Sequence, residues 1–308
     1  MSFNSSLSPN AVKTALDDVF YQGHNYQLMP GYVDATSGAV FIQESTDRSA
    51  EIMENFKGSG LWDQIAEEQE ITKGNPRVTG QKTFSVVKFA KDIIIPDEYF
   101  QDEQHASYEK MTRNHGENAR NTRDRNAFAV FRNGFSTALS YDGTALFSDS
   151  HVNLGGYTVD NLVSGALSES TLNDAINQLL EMKAQDGVIG GCIPKTLLVP
   201  PKLAKLAFEI TQSELRSGTA NNDLNFYSTK YGIQVAVSQW LGAAAGGSDT
   251  AWYLLSDKHT VMRFVRQSLS TYVVEPKYVG NDSWKYGGKF REVVGALSFE
   301  GLVGSLGT

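Results

Sequence analysis

Apolar residues recur at helical spacing in only a few stretches of the chain. Val12, Leu16, Val19 and Phe20 share one face of a helix that Ser8 caps, Pro9 opens and Gly23 closes. The stretch AEIMENFKG, 50–58, predicts a second, weak helical patch that stops at Gly58-Ser59-Gly60. Between 61 and 95 the pattern becomes extended. WDQIAEEQEIT and QKTFSVVKFAKDIII flank the turn-rich KGNPRVTG, and together they predict a β-hairpin. The first run is acidic (Asp63, Glu67, Glu68, Glu70) and the second basic (Lys82, Lys88, Lys91). Opposite charges across a hairpin contribute roughly 0.2–1 kcal/mol per pair. The second run is apolar on both faces, with Phe84 and Val86 on one and Val87 and Phe89 on the other. A lone two-stranded hairpin is marginal in water. This one needs a surface to pack on, supplied by its own body or by a neighbouring subunit.

From Ile93 to Phe135 the pattern predicts one long helix around which the chain is organised. Pro96 suits its first turn, where the missing N–H is no loss. Acids gather at its front (Asp97, Glu98, Asp102, Glu103) and arginines at its back (Arg120, Arg123, Arg125, Arg132), which complements the helix dipole. Some 37 helical residues would span roughly 55 Å. Its apolar stripe is thin: Phe100, Tyr108, Met111, Ala127, Phe128, Phe131 and Phe135. Such a helix lies across something or between things.

Beyond a Gly- and Asp-rich connection, a small mixed α/β pattern begins at residue 168. Ser168 or Ser170 caps a helix carrying Leu172, Ala175, Ile176, Leu179 and Met182, closed by Gly187. The strand TLLVP follows, and Pro200-Pro201 starts a helix with Leu203, Leu206, Ala207 and Ile210 on one face. YGIQVAVSQWL and AWYLLS read as further strands. The last fifty residues read as strands alone (TVMRFVRQSL, STYVVEPKYV, SWKYGGKFREVVGALSFEG), with turns at Gly280-Asn281 and Gly287-Gly288. They are expected to form a long sheet against the long helix.

The length of 308 residues suits two domains, or one with large extensions. A net charge of −8 argues against a basic surface that grips nucleic acid. The single cysteine, Cys192, cannot form an intramolecular disulfide and reads as a buried structural thiol in a reducing compartment. No signal peptide and no run of eighteen apolar residues is present. Catalytic patterns are weak. SDSH (Ser148, Asp149, Ser150, His151) holds the letters of a triad, but triads are assembled from distant segments. His24, His105, His115, His151 and His259 have no metal-ligand spacing, and His105 and His115 are expected to be solvated. No glycine pattern matches a nucleotide loop. The helix arginines are read as completing the dipole or as inter-subunit ion pairs, ahead of phosphate ligands. No catalytic, cofactor-binding or metal residue is assigned.

The order of parts and four short strings resemble the major capsid proteins of tailed bacteriophages, of the Hong Kong 97-type fold and near the Mu-type major head subunits. DGTALFSDSHV matches a segment that follows the long helix in that family, on Gly143, Leu146, Phe147, Ser148 and His151; Val152 replaces the usual proline. KTLLVPPKLAKLAFEI resembles its strand-to-helix element on Leu197 to Ala207. TAWYLLSD, on Ala251 to Asp257, and SWKYGGKFREVVGALSFEGLVG resemble later strands. The resemblance implies an α+β capsid fold in four parts: an N-terminal arm, 1–60; an extended β-hairpin loop, 61–95; a peripheral domain with the spine helix and terminal β-sheet, 96–150 and 256–308; and an axial α/β domain, 151–255. It implies a non-enzymatic subunit that builds an icosahedral shell around double-stranded DNA through hexamers and pentamers. The loop would lie over a neighbouring subunit. Expected partners are further copies, a separate scaffolding protein, the portal, decoration proteins and non-specifically contacted DNA, with no membrane and no cofactor. The location implied is the virion capsid, assembled in the bacterial host cytoplasm. Some relatives crosslink a loop lysine to an asparagine; Lys73, Lys82 and Asn281 are the matching residue types. Two other readings are an encapsulin-type nanocompartment shell and a hydrolase using His151 with Ser148 or Ser150.

Overall fold

The computed structural model describes residues 9–101, 105–213, 225–279 and 282–308, without the side chains of Phe100, Gln101, His105, Lys277 and Val279. The chain opens with α1 (Pro9–His24), which buries Val12, Leu16 and Phe20 at the expected helical spacing. Pro9 is its first residue. Gly23 lies inside the helix, and Ser8 falls outside the described residues.

The next strands are β1 (Ile42–Ser45), β2 (Ala50–Lys57), β3 (Arg77–Ser85) and β4 (Val87–Pro96). Three expectations fail here. AEIMENFKG is a strand, because Met53 and Asn55 alternate with Ile52, Glu54 and Phe56 across the pleat. The hairpin is β2 against β3, joined by residues 58–76, so WDQIAEEQEIT is a connecting loop and its acids face no basic strand. The apolar run at Ile93–Ile95 closes β4, with Pro96 as that strand's last residue. A short apolar run does not by itself distinguish strand from helix. Tertiary pairing decides it here, since β4 lies antiparallel along β11.

After the single turn α2 (Glu98–Gln101) comes the spine helix α3 (His105–Ala127), followed by the turn α4 (Ala129–Arg132). The spine has 23 residues, about 35 Å, shorter than the pattern suggested. Asp102 and Glu103 lie outside the described residues. A two-stranded ribbon, β5 (His151–Val152) and β6 (Thr158–Val159), precedes α5 (Glu169–Glu181). Ser168 caps α5 in a reciprocal box with Thr171, while Gly187 sits in the following loop. Then follow β7 (Pro194–Val199), α6 (Ala204–Thr211), α7 (Phe226–Lys230), β8 (Gln234–Val237) and β9 (Trp252–Ser256). The final elements are β10 (Val261–Val274), the short helix α8 (Pro276–Val279), β11 (Ser283–Ala296) and β12 (Leu302–Ser305). The terminal region is thus not purely strands.

Two four-stranded sheets organise the molecule, in the orders β1-β10-β11-β4 and β12-β9-β7-β8. β12 leaves the terminal strands and joins the α/β sheet beside β9. That second sheet is buried on both faces, which is why its strands read as unbroken apolar runs. Leu197, Val199, Trp252 and Leu254 face α5. Leu198, Tyr253 and Leu255 face the other way, onto Phe128 and Phe131 at the end of the spine and onto Phe41, Val261 and Ala296. A third core is small: Val12, Leu16 and Phe20 of α1 with Ile95, Tyr108 of the spine and Tyr286. The spine therefore joins two cores, with Tyr108 in one and Ala127 in the other, where Phe128 and Phe131 follow directly after it. Met111, read as part of its stripe, is exposed.

Candidate functional site

The residues that carried catalytic letters do not form a catalytic constellation. Ser148 and Ser150 share a hydroxyl–hydroxyl hydrogen bond at 3.0 Å. His151 is fully buried, stacks on Phe299 with ring centroids 4.0 Å apart, and pairs its Nδ1 with Asp142 Oδ2 at 2.7 Å. Burial pushes the Asp142 carboxyl up, but hydrogen bonds from His151 and the Thr144 N–H outweigh it and hold the group below the usual carboxylate range. A nucleophile needs its base within about 2.6–3.2 Å; the Nε2 of His151 has no hydrogen-bond partner among the described residues. The histidine cements the loop after the spine to the one before β12.

Other candidates are also structural. Burial raises the Cys192 thiol above its ordinary value, which leaves it unreactive. Among the described residues no three metal-ligating side chains converge. His115, expected to be solvated, is buried, with Nε2 3.2 Å from the Lys91 carbonyl oxygen and its pKa lowered chiefly by burial. His105's side chain lies outside the described set. Of the arginines at the back of the predicted helix, Arg125 is exposed, while Arg120 and Arg132 turn inward. Arg120 is buried, reaches Asp34 at 2.8 Å and Asp124 at 3.6 Å, donates to the Tyr26 carbonyl and lies over the Tyr26 ring. Arg132 donates to the carbonyls of Trp240 and Arg125.

The β2–β3 hairpin is the part left unsatisfied. Its root is seated on the body. Phe84 packs with Met262, Phe264 and Leu297, and Met53 lies against the same cluster. The Lys82 ammonium donates to the carbonyls of Leu139 and Ala296, and burial pulls its pKa down. At Gly80 a β-carbon would stand 2.4 Å from the Tyr141 ring, so the strand approaches the body closely there. The other face and the tip present apolar side chains to water: Ile52, Phe56 opposite Val78, then Leu61, Trp62 and Ile71 in the connecting loop. Trp62 is 93% exposed and Phe56 62%. Contiguous exposed apolar surface marks an interaction site. The sequence showed that a surface was needed. It did not show that the same hairpin packs at its root on its own body and is bare at its tip, because that depends on the pairing of β2 with β3 and on the distant residues Met262, Phe264 and Leu297 that receive Phe84.

Two sheets, a joining spine and a hairpin that bares apolar side chains at its tip define the body of an α+β subunit with an unpartnered apolar surface. The sequence profile of the phage capsid protein family matches residues 80–305, and the chain belongs to that family. It is a phage major capsid protein with the Hong Kong 97-type fold. Three solved structures show the same fold. The virus-like particle from Pyrococcus furiosus is 13% identical over 95% of this chain and 98% of its own, with a TM-score of 0.56. The bacteriophage PhiM1 mature capsid is 12% identical over 91% and 88%, also at 0.56. The capsid of cyanophage P-SCSP1u is 13% identical over 92% and 93%, again at 0.56. No curated protein matches the chain.

Proposed function

We propose that this subunit assembles through hexamers and pentamers into an icosahedral phage head that encloses double-stranded DNA, and that it does so without catalysing a reaction. The carrying observation is the hairpin with a seated root and a bare apolar tip, since a free subunit would hold Phe56 and Trp62 in water. In this reading the N-terminal segment works as an arm, residues around β2 and β3 as the projecting loop, the spine with the β1-β10-β11-β4 sheet as the peripheral part, and the remaining α/β sheet as the axial part. The strand pairing supports loop roots at Ala50 and Ser85. The partners in this proposal are further copies of the chain, a separate scaffolding protein and a portal, with decoration proteins as optional additions, and assembly takes place in the host cytoplasm. Covalent crosslinking is not part of the proposal: Lys82 is engaged in its own subunit, Lys73 lies beside Glu70, and Asn281 is outside the described residues.

Expression of the full chain, alone and with its scaffold, followed by negative-stain electron microscopy and sedimentation, tests the reading. Shells or capsomers are expected. A protein that stays monomeric under every assembly condition sinks it. The likeness to the Pyrococcus furiosus particle over nearly its whole length supports a second reading, an encapsulin-type shell around protein cargo. Particles isolated from their native source that hold protein instead of DNA would favour that one.

A further inference from the structure

A cleft of about 500 Å³ opens between the C-terminal end of α1, the edge strand β1, one side of the spine α3 and the strands β10 and β11. Three guanidinium groups line it, those of Arg123, Arg263 and Arg266, together with His24, whose pKa is lowered chiefly by burial. Two carboxylates do as well, but neither neutralises the set. Glu292 is committed to Arg263, which donates to its Oε2 from Nε at 3.0 Å and from Nη2 at 2.5 Å. Glu44 sits at the exposed rim. Arg123 makes no hydrogen bond or ion pair among the described residues, and its buried Nε has no partner. Burial, and after it the like charge of Arg263, pull the Arg123 pKa down against the opposing charges of Asp124, Glu292 and Asp34.

A second feature points into the same cleft. Val265 pairs with Glu292 and Gln267 with Arg291, so Arg266 is the extra residue of a β-bulge in β10. Bulges interrupt the ladder and re-aim a side chain, often beside a functional site. Here the bulge lies in the stretch that lines the cleft, and Arg266 is brought in with Gln267 and Ser268. The remaining lining is largely polar, including Gln43 and Ser45. Two guanidinium forks with hydroxyl and amide donors suit a tetrahedral oxyanion, whose several oxygens accept paired N–H donors.

We propose that this cleft is a phosphate-binding site, with Arg123 and Arg266 as its anion ligands and the Arg263–Glu292 pair as its fixed floor. The phosphate comes either from a nucleic-acid backbone or from a free phosphate ion. The site stands on the single subunit; only the nucleic-acid source rests on the shell reading.

The test uses full-length protein titrated with inorganic phosphate and with a double-stranded DNA oligonucleotide across a salt series. Arg123→Gln with Arg266→Gln is compared with the parent and with Lys205→Gln, a control whose side chain is 88% exposed. The double variant is expected to bind about tenfold or more weakly, and its plot of log affinity against log salt to be shallower by about one per arginine removed. The control is expected to match the parent. Loss for DNA alone identifies the backbone as the source, and loss for inorganic phosphate alone identifies the free ion. Equal binding by parent and double variant, or no binding of either probe by the parent, overturns the proposal. Thermal unfolding verifies folding, and Arg266→Gln alone serves if the double variant is unstable. Particle formation is scored separately, so a failure to assemble counts against the shell and leaves the titration intact.

Discussion

Lys82 and Asp124 each have a side chain withdrawn from water. The Lys82 ammonium fixes the hairpin root through the carbonyls of Leu139 and Ala296. Lys82→Met keeps the aliphatic stem and removes the donor, which leaves the part-buried Ala296 carbonyl short of a partner. A loss of about 1–3 kcal/mol is expected in denaturant unfolding, with faster amide exchange across β2 and β3. Unchanged exchange there would mean that the lysine does not hold the hairpin. Asp124 accepts from the Ala35 N–H at 3.0 Å, and burial pushes its pKa from 3.8 to about 6 despite Arg120 nearby. The folded chain therefore holds this proton more tightly than the unfolded chain does. The group favours the fold most below about pH 4, and that contribution is lost as pH rises through 6. Asp124→Asn keeps an acceptor and does not titrate. Relative to the parent, the variant should gain about 2 kcal/mol between pH 4 and pH 7. A pH-independent difference in stability between the two proteins would remove burial as the dominant effect at this carboxyl.

Between elements, the crossing of α1 and the spine depends on two glycines. A β-carbon at Gly116 would lie 2.1 Å from the Phe20 carbonyl oxygen, and one at Gly23 would lie 2.1 Å from that of Arg113. In a free helix Gly→Ala gains up to about 1 kcal/mol. Here Gly116→Ala is expected to destabilise the protein by about 1–3 kcal/mol through overpacking, and to expose α1 to limited proteolysis before the rest of the chain. A rise in melting temperature would show that the helices do not touch there. Gly116 stands in the middle of the predicted long helix, but the sequence holds no sign of the partner backbone that makes it necessary. Elements with strong local signals were legible: α1 from its apolar face, α5 from its Ser168 cap, and β7 and β9 from unbroken apolar runs. Those fixed by distant pairing were not. AEIMENFKG places Ile52, Met53 and Phe56 at spacings that also fit a helix, and only its pairing with β3 makes it a strand. Ile93–Ile95 had the same ambiguity, resolved by β11. The candidate site was legible in outline, as a hairpin needing a partner. Its apolar tip at Leu61 and Trp62 lay within a stretch that reads as an acidic strand, and Lys82 looked like a free loop lysine until its two carbonyl acceptors were placed.

For the whole molecule, the bare tip is expected to matter to assembly and not to folding. Phe56→Ser combined with Trp62→Ser should leave the melting temperature of the free subunit within about 0.5 kcal/mol of equivalent stability, since both residues are exposed. The same variant should abolish or sharply reduce particles in sedimentation and micrographs. Normal shells from it would move the assembly contact elsewhere. The sheet order has a separate consequence. β1 lies along β10, where Gln43 meets Arg263 across 220 residues of sequence, and β4 waits for β11. On a ribosome the first strands emerge long before their mates are made, so they spend most of translation with open edges. The nascent chain therefore carries unpaired strand edges through most of its synthesis, and the β1-β10-β11-β4 sheet can close only once synthesis has passed β11.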